Sequence, residues 1–400
     1  MHKPSVYFVL ASQPFLEPIS GDRINEMNLI RALSIHFDVY YNNVLVDPNT
    51  NLFGRRDTKI ETPNRKYDLH YVRANKDLFL SLPNPKIWFA TPYYPECYEQ
   101  ADAVATMTEA WHRQMGNFNH DPWLQTMMGV DGQPVIQPKK LVLMRQVIDH
   151  ESLKVNHERA ASFRDDKDER LIIGHFGRVV RSNFPHHLIE ASRDREIRER
   201  FRFVFRGKVP QQLNEWFTVE QYIPQAEVPS AIAACDATIY NQDPIGHIAG
   251  SIKVMESMAL GIPIIATRLE ARIRELGETY PYFWAYGEEY QNWLDVAHLE
   301  FQSTSNAAYR RALNHPNGNS SFVDKFREMI GLGKRKFASH PRERFMNDVE
   351  KLTQILKRFS EDPKLREKTS SEIKKRSSNY SVTNVAEALK NDLSNILNDT

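Results

Sequence analysis

Ile245-GHIAGSIKVMESMALGIPIIATR-Leu269 is the stretch whose reading decides the fold. A polar, glycine-containing opening (Gly246, Gly250, Ser251) leads into a run that places Ile252, Met255, Met258 and Ala259 on one helical face. Gly261 and Pro263 then punctuate the apolar residues Ile262 to Ala266. This order predicts loop, helix, glycine cap and buried strand. A helix that starts in such a loop offers unpaired backbone amides and the positive end of its dipole, which suits a phosphate. Lys253 and Glu256 fall in its first two turns. Two readings follow. One is a nucleoside-diphosphate site, with Lys253 or the amides of Gly250 and Ser251 on phosphate and Glu256 accepting hydrogen bonds from sugar hydroxyls. The other is an ordinary amphipathic helix with a solvated Lys and Glu.

The same residues resemble the donor-binding signature of GT-B glycosyltransferases, above all the large retaining family usually numbered four. Glu256, Met258, Ala259, Gly261, Pro263, Ile264, Ile265, Ala266 and Thr267 match its pattern E-x-M-A-x-G-x-P-(I/V)-(I/V)-A-T. The resemblance implies that Glu256 binds the ribose of a sugar nucleotide. Many members carry a second Glu eight positions earlier, beside the transferred sugar; here that position is Ile248.

Length and composition set the frame. A chain of 400 residues, 41% of them hydrophobic, predicts two domains with their own cores. Lys plus Arg, 52, balances Asp plus Glu, 51, leaving +1 and no bulk electrostatic case for nucleic acid as a partner. Cys97 and Cys235 have no metal-ligand spacing around them and read as buried thiols of a reducing compartment. The apolar run Val6 to Ala11 is too short for a signal-peptide core or a membrane span. The expected location is cytoplasmic, with a peripheral seat on a membrane left open.

Upstream, residues 5–11 read as a first strand, a loop through Pro18, Ser20, Gly21 and Asp22 follows, and Ile24, Met27, Leu29, Ile30 and Leu33 recur at helical spacing before a second strand at Phe37 to Tyr41. That is the opening of a doubly wound α/β domain. By the resemblance its first loop faces the cleft, so Gly21 approaches the donor phosphates and Asp22 or Arg23 touches donor or acceptor; a plain βα turn is the other reading. Short apolar runs at Leu69 to Val72, Ile87 to Ala90 and Ala103 to Thr106 read as further strands, with Thr108 as an N-cap. The family often has a His after the strand matching Ile87 to Ala90; this chain has TPYYPE, with Tyr93 or Tyr94 there, and no catalytic His is assigned. Leu141 to Leu153 resembles the family's V-I-P-N-G-V-D segment, with Arg145 and Gln146 near the usual Asn-Gly. The charge run 164–170 reads as a solvated linker.

Leu171 to Ala191 resembles the family's G-R-(L/V)-x-x-x-K-G segment, whose Arg and Lys bind the diphosphate: Arg178 follows Gly177, while the Lys falls on Asn183 and Arg181 is a substitute. Without a metal, the charge on a departing nucleoside diphosphate falls to fixed cations and helix amides. After the strand Phe201 to Phe205, Gly207 fits the family's turn, with Arg206 or Lys208 as reserve cations, and Tyr222 to Pro224 stand where the base is usually flanked. No Asp-x-Asp at a strand end offers a metal site. From 290 to about 345 the pattern departs from the family. Asn314 to Ser321 is loop chemistry and GKRKF a basic cluster, more in keeping with solvent than with lipid headgroups. The last residues, 346 to 397, resemble the family's closing helices.

The expectation is therefore an α/β GT-B fold: a Rossmann-like acceptor domain over 1–163, a Rossmann-like nucleotide-sugar domain over 171–378, and a final helix, 379–400, crossing back to the first. Arg178, Lys253 and Glu256 are the expected catalytic set. Gly21, Gly177, Arg206, Gly207, Lys208, Tyr222, Ile223, Gly250, Ser251 and Ile252 are the expected donor-binding set. The implied partners are a nucleotide-sugar donor and a glycan, lipid-linked or protein acceptor, with no metal and no cofactor. A GT-B sugar-nucleotide epimerase and a non-catalytic nucleotide-sugar-binding protein are the alternatives.

Overall fold

The computed structural model describes residues 3–9, 21–41, 43–47, 61–121, 124–125, 128, 130, 135–164, 167–179, 183, 185–220, 222–242, 248–285 and 341–398. The loop through Pro18 and Ser20, Gly246, Arg181, the Asn314 to Ser321 stretch and the GKRKF cluster lie outside them, as does the side chain of Asp22.

Two sheets organise the chain. The first holds β1 (Ser5–Val9), β2 (Asp38–Tyr41), β3 (Val44–Leu45), β4 (Leu69–Val72), β5 (Lys86–Phe89), β6 (Ala103–Thr106) and β7 (Leu141–Leu143), in spatial order β3-β2-β1-β4-β5-β6-β7. Its pairings are parallel apart from the short β2–β3 edge. The second holds β8 (Leu171–Phe176), β9 (Phe201–Arg206), β10 (Thr218–Glu220), β11 (Ala237–Tyr240), β12 (Ile264–Thr267) and β13 (Phe283–Trp284), in the order β10-β9-β8-β11-β12-β13, all parallel. Strands buried on both faces need continuous apolar sequence, and Ser5–Val9, Leu69–Val72, Ala103–Thr106 and Ile264–Thr267 are buried along their whole length.

Each sheet reverses its winding once, between β1 and β4 in the first and between β8 and β11 in the second. Beyond the carboxyl ends of strands at such a point, the connections part and leave a crevice. In this chain those two crevices face each other. Thr108 accepts from the amide of Trp111 at 3.1 Å and caps the helix Glu109–Met115, as its sequence position predicts.

Two crossings tie the halves together. The amide of Ile148 donates to the carbonyl of Tyr380 at 2.7 Å, so the outgoing and returning chains run side by side. Beyond this bridge the helix Val382–Asn398 lays Val385, Ala386, Leu389, Leu393 and Ile396 into the core of the first sheet, packing on the helix Gly21–Ser34. The segment between the sheets is not a free tether. Asn156 donates its amide to Ser230 Oγ at 2.9 Å and Arg159 pairs with Glu227 at 2.7 Å, and in the charge run Arg164 pairs with Asp236 at 2.6 Å. Both cysteines are free and buried, and burial pushes each thiol up to about 12. No helix among the described residues is long and apolar enough to cross a membrane.

Candidate functional site

A cavity of about 410 Å³ fills the space between the two crevices, a volume suited to a small-molecule ligand. The helix Ile252–Leu260 forms its floor. Ser251 stands at the N-cap in extended conformation without a side-chain capping bond, and the amide of Met255, bonded to Ser251 O at 3.2 Å, opens the helical ladder. The amides of Ile252, Lys253 and Val254 therefore have no intrahelical acceptor, and they stand at the cavity wall. Gly261, at φ +71°, ends the helix in the left-handed conformation that turns the chain into β12.

The loop entering this helix is gripped from both halves. Thr108 Oγ1 donates to the carbonyl of Ile248 at 2.6 Å, and Arg272 Nη2 donates to that of Ala249 at 2.6 Å. Arg272 is fully buried, sits 4.7 Å over the Tyr240 ring and pairs with Glu275 at 2.6 Å. Two glycines let the halves approach. A Cβ on Gly21 would lie 2.8 Å from Ile252 Cγ2, and one on Gly250 would lie 2.2 Å from Gln146 Oε1. The amino ends of two helices, Gly21–Ser34 and Ile252–Leu260, thus meet at one cavity.

The turns after β8 and β9 supply the opposite wall. Gly177 (φ +112°) and Gly207 (φ +135°) adopt conformations that disfavour any side chain, and a Cβ on Gly207 would fall 2.3 Å from the carbonyl oxygen of Gly177. The two turns are also bonded together, Gly177 N to Arg206 O at 2.9 Å and Val179 N to Lys208 O at 3.0 Å. Arg178 projects from this wall, exposed, and makes no ion pair among the described residues.

Glu256, 3% exposed, is not among the residues that line the cavity and reaches it only through its partners. Lys253 Nζ lies 2.7 Å from its Oε2, and Gln225 Nε2 donates to its Oε1 at 3.2 Å. Lys253 and Gln225 themselves line the cavity. The carboxylate is therefore held between a cation and an amide, and a ligand hydroxyl reaches it only beside or in place of one of them.

Of the residues expected from sequence, Gly21, Gly177, Arg178, Gly207, Tyr222, Ile223, Gly250, Ser251, Ile252 and Lys253 all line this cavity. Arg206 lines it as well, whereas the expected Glu256 does not. Arg206, 1% exposed at its side chain, forks onto Glu220, Nε to Oε2 at 2.6 Å and Nη2 to Oε1 at 3.1 Å, so its charge is spent on the neighbouring strand. Lys208 is exposed and outside the lining. Arg23 is buried against Glu26, which also binds Arg73 at 2.7 Å. Tyr93, at the position of the family's His, is core: its hydroxyl accepts from the amide of Ile136 at 2.9 Å. Sequence reasoning missed Asn25, His175 and Gln225, which also line the cavity. Their signal was positional only, at the ends of elements that lead to the cleft.

His175 carries a pH consequence. Its ring stacks on Phe205 at 5.0 Å, and burial lowers its pKa to about 4. The unfolded chain takes up a proton below about pH 6.5 while the folded one stays neutral down to about 4, so this group's share of stability is lost as pH falls through that window. Between pH 7 and pH 5 the loss is about 2 kcal/mol. Urea unfolding of wild type and His175→Phe at both pH values should show the variant losing less by about that amount. Equal losses would mean that the ring takes up its proton in the folded state.

In fold the chain is similar to sucrose-phosphate synthase from Thermosynechococcus elongatus, with a TM-score of 0.60 and 11% identity over 100% of each chain. It is similar to a glycosyltransferase from Rickettsia africae, at 0.56 and 10% over 100% of each. It is also similar to HepE from Anabaena, solved in complex with UDP and glucose, at 0.53 and 13% over 98% of this chain and 100% of that one. No family model matches the chain, and no curated protein matches it. At these identities the likeness is one of architecture, and it defines the GT-B class of fold: two Rossmann-like sheets facing a central cleft.

Proposed function

We propose that this chain is a glycosyltransferase that moves a sugar from a nucleotide-sugar donor to an acceptor hydroxyl, with retention of configuration and without a metal. The observation that carries this reading is the convergence on one cavity of three helix amides without an intrahelical acceptor, of Arg178, which makes no ion pair among the described residues, and of Lys253, whose partner Glu256 lies behind the lining. That set suits a nucleoside diphosphate. In this account the diphosphate lies over the amides of Ile252 to Val254, with Arg178 and Lys253 on its oxygens, and the ribose hydroxyls donate to Glu256. Lys253 exchanges the carboxylate for phosphate as the donor enters. The complex of HepE with UDP-glucose, a protein of similar fold, supports this class of donor.

The chemistry follows from what the residues can do. Breaking the bond from sugar to phosphate leaves charge on the diphosphate, and fixed cations and amides in a cleft stabilise it more than they stabilise the bound donor. The acceptor enters from the first half. A donor phosphate oxygen takes its proton on the face that the diphosphate leaves, which gives retention. Incubation with a panel of nucleotide sugars, with and without glycan and lipid-linked acceptors, tests the reading. Free nucleotide that accumulates only with acceptor, and a product keeping the donor's anomeric configuration without added metal, is the expected result. Epimerised donor without acceptor would replace transfer with epimerisation, and tight binding without turnover would leave a binding protein. The apolar Ile248 in place of the family's second acid is what makes that last reading worth testing.

A further inference from the structure

The family position that supplies a carboxylate beside the transferred sugar is closed in this chain. Ile248 is 2% exposed, its side chain belongs to the core of the first sheet, and its carbonyl accepts from Thr108. A sugar bound in this cavity must find its polar partner elsewhere.

Two polar side chains of the first half, Asn25 and Gln146, line the cavity. Asn25 is committed, its Oδ1 accepting from the amide of Val147 at 3.0 Å. Gln146 is not. It is 4% exposed, its backbone amide donates to Met107 O at 3.3 Å, and its side-chain Oε1 is buried with no hydrogen-bond partner among the described residues. A buried amide oxygen left unpaired is costly, and native structures keep few of them. The side chain lies flat against Gly250, where any Cβ would collide with it, so the glycine holds the space that this amide occupies.

The position selects the ligand group. An acceptor oxygen repels phosphate oxygens and pairs with a hydroxyl. In the donor site proposed above, base and ribose fall to the side of Glu256 and of the lining residues Tyr222 and Gln225, whereas Gln146 lines the cavity from the first half, the side assigned to the acceptor. We propose that Gln146 is the specificity-determining residue for the transferred sugar, its Oε1 accepting from a hydroxyl of the donor's sugar ring across the cleft. This rests on the donor site described above and adds the group that reads its sugar.

The test separates the two. Calorimetric titration of the wild-type chain with UDP, GDP and ADP, and with UDP-glucose, GDP-mannose and ADP-glucose, picks the base and sugar it binds. Gln146→Met keeps the length and removes the polar atoms; Gln146→Glu keeps an acceptor oxygen. Gln146→Met should bind the free nucleoside diphosphate within about threefold of wild type and the sugar nucleotide about tenfold more weakly; in Gln146→Glu, whose charge weakens both ligands through their phosphates, the ratio of sugar-nucleotide to free-diphosphate affinity should stay near that of wild type. A purely structural role would weaken both ligands together. Unchanged binding of the sugar nucleotide by Gln146→Met, an equal loss for both ligands in that variant, or a Gln146→Glu affinity ratio as low as that of Gln146→Met overturns the inference while the donor site stands. A wild-type chain that binds none of the six overturns both.

Discussion

Replacing Arg178 or Lys253 with alanine is expected to lower turnover by about a hundredfold or more, with donor affinity falling far less, because both cations act on charge that grows as the sugar-phosphate bond breaks. The two variants should differ in stability. Arg178 is exposed and makes no ion pair among the described residues, so its loss should leave the unfolding temperature in place. Lys253 is the cation on a carboxylate only 4% exposed at its side chain, and removing it leaves Glu256 with Gln225 alone. Leaving a buried charge without its partner is destabilising, so Lys253→Ala should melt lower than Arg178→Ala. Steady-state kinetics beside thermal unfolding reads both effects. Activity abolished by EDTA and restored by Mg²⁺ would transfer the leaving-group role to a metal.

Deleting the chain from Asn379 onward should abolish transfer. The last helix does more than tie the halves together. Its apolar side chains complete the first core, against the helix that begins at Gly21. Four buried large apolar side chains at about 1.5–3 kcal/mol each, with Ala386 adding less, amount to the order of 10 kcal/mol, as much as a domain's whole stability. The first half should therefore lose its cooperative unfolding while the second keeps its nucleotide affinity. Leu389→Ala is the graded version: a loss of about 2–5 kcal/mol in the first-half transition, with nucleotide binding unchanged. A truncated chain with normal transfer, or one that loses nucleotide affinity in step, would place this helix elsewhere in the energetics.

How much was legible depended on whether the signal was local. The helix and strand around Glu256 could be read because periodicity, the left-handed glycine and the apolar run agree on one outcome. Thr108 could be read as a cap for the same reason. Arg206 could not be told from Arg178 by sequence, since both follow a strand beside a glycine. What separates them is the parallel register that sets Glu220 beside Arg206. The pairing of Glu256 with Gln225, 31 positions away, and the contact of Gln146 with Gly250 depend on how distant segments meet.

The site assignment stands or falls on Glu256. Titrating the wild-type chain and Glu256→Ala with the nucleoside diphosphate it binds best, under conditions where both are folded, measures the ribose contact directly. The account predicts that the variant binds more weakly by about 1.5–3 kcal/mol, roughly ten- to a hundredfold, because a charge-assisted acceptor is removed from buried hydroxyls. Equal affinity in a folded Glu256→Ala variant would contradict it.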